Sequence, residues 1–171
     1  MSYEKIVEEA EKAETEVAEL CSGLVKFNSA HPEGKTNGCV GYIKEYLDSH
    51  GIENEIHAND SVKPNIVARL EGTSKRMILW VGHLDVVPAG EPDSWTHSAY
   101  SGKITDDGRV WGRGTSDMKG ACAAAMVTAR ILSEHGSLEN SVEFWFTSDE
   151  EIGGGEGARW LAQSGRLKGD V

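Results

Sequence analysis

"MILWVGHLDVVPAG", residues 77–90, is the stretch whose reading decides the fold. Its opening run, Met77-Ile78-Leu79-Trp80-Val81, is apolar without alternation. A strand of that kind needs cover on both faces, as an inner strand of a helix-flanked sheet has. His83 and Asp85 follow two residues apart, a spacing that points both side chains the same way on extended backbone. Two proton-binding groups therefore arrive together where the strand ends.

A second stretch of the same kind, "SVEFWFTS" (141–148), reads as another inner strand, and 52–57 and 65–70 read as shorter ones. "ITDDGRVWGRG" is a hairpin with its turn at Asp106-Asp107-Gly108. Residues 3–28 read as one long helix, because Ile6, Ala10, Ala13, Val17, Leu20, Leu24 and Phe27 form a single apolar stripe. The alanines make that stripe thin for a coiled-coil seam, so it is expected to pack on the domain core. A second helix carries Val40, Ile43, Tyr46 and Leu47 on one face and stops at Gly51, a helix C-terminal signal. A third, over 117–134, is expected to turn Met118, Ala121, Cys122, Ala125, Ala129 and Leu132 inward, and a short fourth covers 156–164. Helices alternating with apolar strands indicate an α/β domain whose mixed, largely parallel sheet is covered by helices. After the last helix and a Lys-Gly-Asp turn, Val171 reads as the first residue of a further strand, so the sequence is expected to be a truncated part of a longer chain.

Bulk properties narrow the function. With 39% hydrophobic and 26% charged residues the chain is globular, and a net charge of −11 argues against a nucleic-acid partner. No apolar stretch approaches the roughly 20 residues of a membrane span. The acidic N-terminus lacks a signal-peptide core, which sets a cytoplasmic expectation. Cys21, Cys39 and Cys122 lie far apart without a metal-binding spacing and read as buried, reduced thiols.

In an α/β sheet, ligands bind outside the carboxyl ends of the strands. "GHLD" (82–85), "GRGTSD" (112–117) and "TSDEE" (147–151) each follow an expected strand. If those strands are neighbours, His83, Asp85, Asp117, Asp149, Glu150 and Glu151 converge on one crevice. Converging carboxylates repel and desolvate one another, and Arg113 and Lys119 are too few to neutralise them. A divalent metal resolves this. Histidine with aspartate and glutamate suits zinc first, with cobalt or manganese as alternatives. Asp85 reads as the carboxylate that orients the His83 imidazole rather than as a ligand. Each segment also has a plainer reading: Asp117 as a helix N-cap, and Asp149-Glu150-Glu151 as charge complementing a short helix. Three such segments at the ends of one sheet's strands favour the metal site. "GRGTSDMKG" lacks phosphate-loop spacing, and no G-x-S-x-G elbow is present.

"GHLDVVPAG", "WGRGTSDMKG" and "TSDEEIGG", in that order, resemble the M20 metallopeptidase family. The resemblance runs through most of the chain, although the first 35 residues carry no motif. "SWTHSAYSG" departs from the family pattern, with Ala99-Tyr100 where Pro-Phe is usual. The resemblance implies a zinc-exopeptidase-like catalytic domain with two zinc ions. His83 would hold one ion, Asp117 bridge both and Glu151 hold the second. Glu150 would be the general acid/base and Asp85 the carboxylate partner of the imidazole. It also implies a cis peptide at Asp117–Met118. Residues 1–171 would be the N-terminal part of the catalytic domain, with the lid/dimerisation domain and the remaining ligands elsewhere in a homodimeric parent. The implied reaction is hydrolysis of a small-molecule amide, the substrate being an N-acyl amino acid for a deacylase of the succinyl-diaminopimelate desuccinylase kind. A carboxypeptidase or dipeptidase acting on peptides is the alternative within the family. A non-catalytic binding module is the alternative outside it, and retention of Glu150 argues against that. With ligands missing, residues 1–171 alone are expected to be inactive.

Overall fold

The computed structural model describes residues 3–166, so the strand expected at Val171 lies outside the described residues. Helices α1 (Tyr3–Lys12), α2 (Glu14–Val25) and α3 (Asn37–Ser49) precede strands β1 (Glu53–His57), β2 (Asn65–Leu70) and β3 (Met77–His83). The short strands β4 (Lys103–Ile104) and β5 (Val110–Trp111) follow, then α4 (Gly120–Glu134), β6 (Ser141–Thr147) and α5 (Ala158–Gln163).

The main sheet has the order β1-β2-β6-β3. β1 pairs antiparallel with β2, and β2 antiparallel with β6. β3 runs parallel to β6, from Met77 beside Ser141 to His83 beside Thr147. The sheet is mixed, as read from the sequence, with a larger antiparallel share. The loop 58–64 is too short for the crossover that a parallel β1–β2 pair would need. Among the described strands β3 pairs with β6 alone, and Ile78 (52%) and Val81 (40%) are exposed.

Side chains alternate across the sheet with the period of two that strands impose. Ile66, Ala68, Val142, Phe144 and Phe146 enter the main core with Leu20, Leu24, Ile43, Leu47 and Met126. Val67 and Trp145 point the other way and pack on Leu161 of α5. The sheet is therefore covered on both faces, with the larger core beneath α2, α3 and α4.

Three helix expectations change. The long N-terminal helix is two, broken at Ala13 (φ −86°, ψ 5°). The stripe still packs on the core rather than forming a separate seam: Ala13, Leu20 and Leu24 are buried, with Ile6, Val17 and Phe27 against them. The third helix starts at Gly120, not 117, and Ala121 is exposed while Ala123, Met126, Val127 and Ile131 are buried. α4 is gripped by the sheet on one side and by α2 on the other, so its apolar face is wider than one stripe. The Gly51 stop holds: Gly51 takes φ +66°, and the Gly51 and Ile52 N–H groups bond back to Asp48 O and Leu47 O. Cys21, Cys39 and Cys122 are free and buried, as expected.

Candidate metal centre

Parallel pairing of β3 with β6 sets His83 beside Thr147, so the segments leaving both strands emerge together. Leu84 N–H donates to Thr147 O (2.8 Å) and Thr147 Oγ1 to Gly82 O (3.1 Å), which stitches the two exits. β3 and β6 thus deliver two of the three acidic segments as the sequence suggests. The third comes differently. β4 and β5 form their own two-stranded sheet, so Asp117 does not follow a strand of the main sheet. It rides on a wide turn, Thr115–Lys119, in which Asp117 (φ −135°, ψ 99°) and Met118 (φ −133°, ψ 32°) leave helical geometry. The Asp117–Met118 peptide is cis, as the resemblance implies. Asp117 is therefore not a helix cap, since Lys119 occupies that place before α4.

His83 is nearly buried, with its Nδ1 3.0 Å from the backbone oxygen of Asp85. That contact has Nδ1–H donating to the carbonyl and turns Nε2 toward the site. Nε2 lies 3.1 Å from Asp117 Oδ1 and 3.7 Å from Glu150 Oε2. Donor atoms of His83, Asp117 and Glu151 fall within 4.8 Å of one another, and among the described residues no other such group occurs. One imidazole nitrogen and two carboxylates around a small space form a zinc-type donor set. The Asp117 and Glu150 side chains are largely exposed, 77% and 59%, so the site opens outward. A cavity of about 380 Å³ lies over His83, Asp117, Met118, Thr147 and Glu150.

Asp85 occupies a different place from the one expected. Its carboxylate is fully buried and sits 3.7 Å from His83 Nδ1, beyond hydrogen-bond distance. Its oxygens accept instead from Glu150 N–H (3.1 Å), Glu151 N–H (3.1 Å) and His31 Nε2 (2.8 Å). Asp85 orients the imidazole through its backbone oxygen and holds the Glu150–Glu151 turn through its carboxylate.

Asp149 is not in the crevice. It adopts φ +68°, and its carboxylate is buried against Lys63 Nζ at 2.7 Å. Neither expected cation compensates the site. Lys119 is fully buried and donates to Leu24 O and Phe27 O, and burial pushes its ammonium below the usual lysine pKa. The Arg113 guanidinium lies over the Trp95 ring, 5.4 Å from its centre. Sequence reasoning missed Lys63 and His31, because each sits in a loop far along the chain from its partner. Three other groups brace the β6 exit: Asn65 Oδ1 accepts from Ser148 N–H, and Thr36 Oγ1 and Ser148 Oγ both donate to Pro64 O. No helix among the described residues is long and apolar enough to cross a membrane.

A sequence profile of peptidase family M20/M25/M40 matches residues 79–171. A succinyl-diaminopimelate desuccinylase from Hydrogenovibrio crunogenus is 37% identical over 138 residues, covering 80% of this chain and 35% of the relative. Another from Rickettsia canadensis is 36% identical over 144 residues, covering 82% and 37%. The chain thus spans about a third of the length of the curated relatives it matches. In fold it is similar to the M20 family metallo-carboxypeptidase Sso-CP2 from Sulfolobus solfataricus (TM-score 0.73, 22% identity, 91% of this chain and 36% of that one). Similar too is the Bacillus subtilis YXEP protein, a dinuclear metal binding peptidase (TM-score 0.65, 21% identity, 93% and 41%). The profile match takes in β3, the Asp117 turn and the Glu150–Glu151 turn together, and this chain belongs to peptidase family M20/M25/M40.

Proposed function

We propose that the protein carrying this chain is a di-zinc amidohydrolase that removes the acyl group from an N-acyl amino acid. The observation that carries this is the meeting of His83, Asp117 and Glu151 donor atoms within 4.8 Å, with the Glu150 carboxylate beside them. In this reading His83 and Asp117 hold one metal, and Asp117 and Glu151 the other. Zinc there supplies Lewis acidity and lowers the pKa of a water toward about 7. Cobalt or manganese fits the same donors. Glu150 is the general acid/base: its exposed carboxylate takes the proton from the attacking water and returns it to the leaving amine. Asp85 keeps Glu150 and Glu151 from exchanging places, because it grips both of their backbone N–H groups. Neighbouring glutamates can then divide the work, one on metal and one on the proton.

The desuccinylase names of the curated relatives favour an N-succinyl amino acid as substrate. A carboxypeptidase or dipeptidase is the alternative within the family. Residues 1–171 form the N-terminal part of the catalytic domain in this proposal, with a lid/dimerisation domain and further ligands elsewhere in a homodimeric parent. Each metal has two ligands here against the roughly three of a catalytic zinc, so these residues alone bind zinc weakly and turn nothing over.

The test is a screen of the zinc-loaded full-length protein on N-succinyl-diaminopimelate, N-acetylornithine and simple dipeptides, with zinc calorimetry on residues 1–171 beside it. Release of succinate is the expected result. Hydrolysis of dipeptides alone would select the peptidase alternative, and hydrolysis of none would leave only a binding module. Two tight zinc sites with amidase turnover in residues 1–171 would refute the ligand deficit.

A further inference from the structure

We infer that His31 is a positioning residue for Glu150 and Glu151, acting through Asp85. The inference deepens the hydrolase reading and rests on it for its catalytic consequence alone.

The Asp85 carboxylate is 0% exposed and accepts from three groups. Two are the backbone N–H groups of Glu150 and Glu151, and the third is His31 Nε2 at 2.8 Å, the shortest of them. An ionised carboxylate only accepts, so His31 must donate its Nε2–H. His31 Nδ1 is buried and has no hydrogen-bond partner among the described residues, so the polar capacity of this imidazole is directed at Asp85. His31 and the Glu151 N–H share Asp85 Oδ2, so without the imidazole that buried oxygen keeps one donor of two and the carboxylate shifts to recover the lost hydrogen bond. Here the shift would pull on the turn that Asp85 holds, which carries both glutamates.

The loop around His31 is shaped for this contact. Three hydrogen bonds stitch it to the segment around Asp85: Ser29 Oγ to Leu84 O (2.6 Å), Val86 N–H to Ser29 O (3.2 Å) and His31 N–H to Val86 O (3.1 Å). The ring edge Nδ1–Cε1–Nε2 also lies against Gly34, where a Cβ would come within 2.7 Å of Cε1. Gly34 also holds φ +56°, a conformation glycine adopts without strain. The ring is thus wedged between a side-chain-free position and the carboxylate, and His31 is itself 8% exposed in its side chain. The segments that meet here are 54 positions apart in sequence.

The test compares His31→Leu, His31→Gln and His31→Asn in the full-length protein. Hydrogen exchange of the 150–151 amides is read on the metal-free protein, and zinc affinity, kcat and KM on the loaded one. Leucine fills the space without a donor. Glutamine reaches Asp85 with an amide N–H, and asparagine is one methylene too short. Faster exchange at 150–151 in His31→Leu, with the β2 amides unchanged, is expected. Zinc affinity should weaken about 10- to 100-fold, kcat should fall with KM nearly constant, and glutamine should restore all three. Unchanged exchange and zinc affinity in a folded His31→Leu would overturn the inference, as would equal losses in all three variants. Should leucine prevent folding, glutamine and asparagine decide alone: a glutamine variant that matches wild type beside an impaired asparagine variant supports it, and equal behaviour overturns it. Faster exchange in His31→Leu, beside a wild-type protein that hydrolyses no amide, would sink the hydrolase reading and leave the positioning role standing.

Discussion

Asp149 shows how much one residue's surroundings matter. It stands next to Glu150, yet its carboxylate turns away from the site into a buried pair with Lys63, whose Nζ is 2.7 Å off. With side chains 15% and 7% exposed, neither partner has water to fall back on. Lys63→Met removes the cation from Asp149 and leaves its buried carboxylate only the Glu156 N–H (3.3 Å), at a left-handed backbone position. The expected cost is about 2–4 kcal/mol in urea unfolding, and a loss of only a few tenths would contradict the pair's role. His83, Asp117, Glu150 and Glu151 were legible in the sequence, because each sits in a polar motif directly beside an apolar strand or helix. Lys63 and His31 were not legible. They lie in turn-rich loops and gain meaning only from partners 86 and 54 positions away. Asp85 was half legible: its place beside the His83 imidazole was readable, the hold of its carboxylate on the next loop was not.

Among the elements, β3 and β6 were the clearest in the sequence, because their apolar runs are short and rich in β-branched and aromatic residues, which favours strand over helix. The break at Ala13 was not readable, since alanine is the best helix former and the stripe runs through it unbroken. A polar cluster adds to the apolar packing that holds α2. Glu16 accepts from Tyr46 of α3 (2.7 Å) and from Arg130 of α4 (2.8 Å and 3.1 Å). Partial burial pushes the Glu16 pKa up, but the Tyr46 hydroxyl and Arg130 outweigh it and hold the carboxyl below the usual 4.5. A lowered folded pKa means the stabilisation is complete above the unfolded value and fades as pH falls through the folded one. Glu16→Gln should therefore cost about 1 kcal/mol near pH 7, and the gap to wild type should begin to narrow as pH falls below the ordinary glutamate pKa of about 4.3. A gap that stays constant from pH 7 to pH 3 in thermal unfolding would contradict this.

At the scale of the whole molecule, the fold exists to bring separate exits to one place. Parallel pairing of β3 with β6 juxtaposes His83 with the Glu150–Glu151 turn, and α4 backs the turn that carries Asp117. The Asp117, Glu150 and Glu151 carboxylates gather around His83, and neither Lys119 nor Arg113 reaches them. Metal should therefore act on the stability of the entire domain. Zinc at 100 times its dissociation constant should add about 2.7 kcal/mol, seen as a raised melting temperature that a chelator reverses and His83→Ala reduces. Stabilisation undiminished in His83→Ala would place the metal elsewhere. The most direct test of the hydrolase reading is turnover of N-succinyl-diaminopimelate by the zinc-loaded full-length protein beside its Glu150→Gln variant, with bound zinc measured in both. The expected result is succinate release that falls by about 100-fold or more in the variant while its zinc content stays the same. Equal turnover in the two proteins would contradict the role given to Glu150.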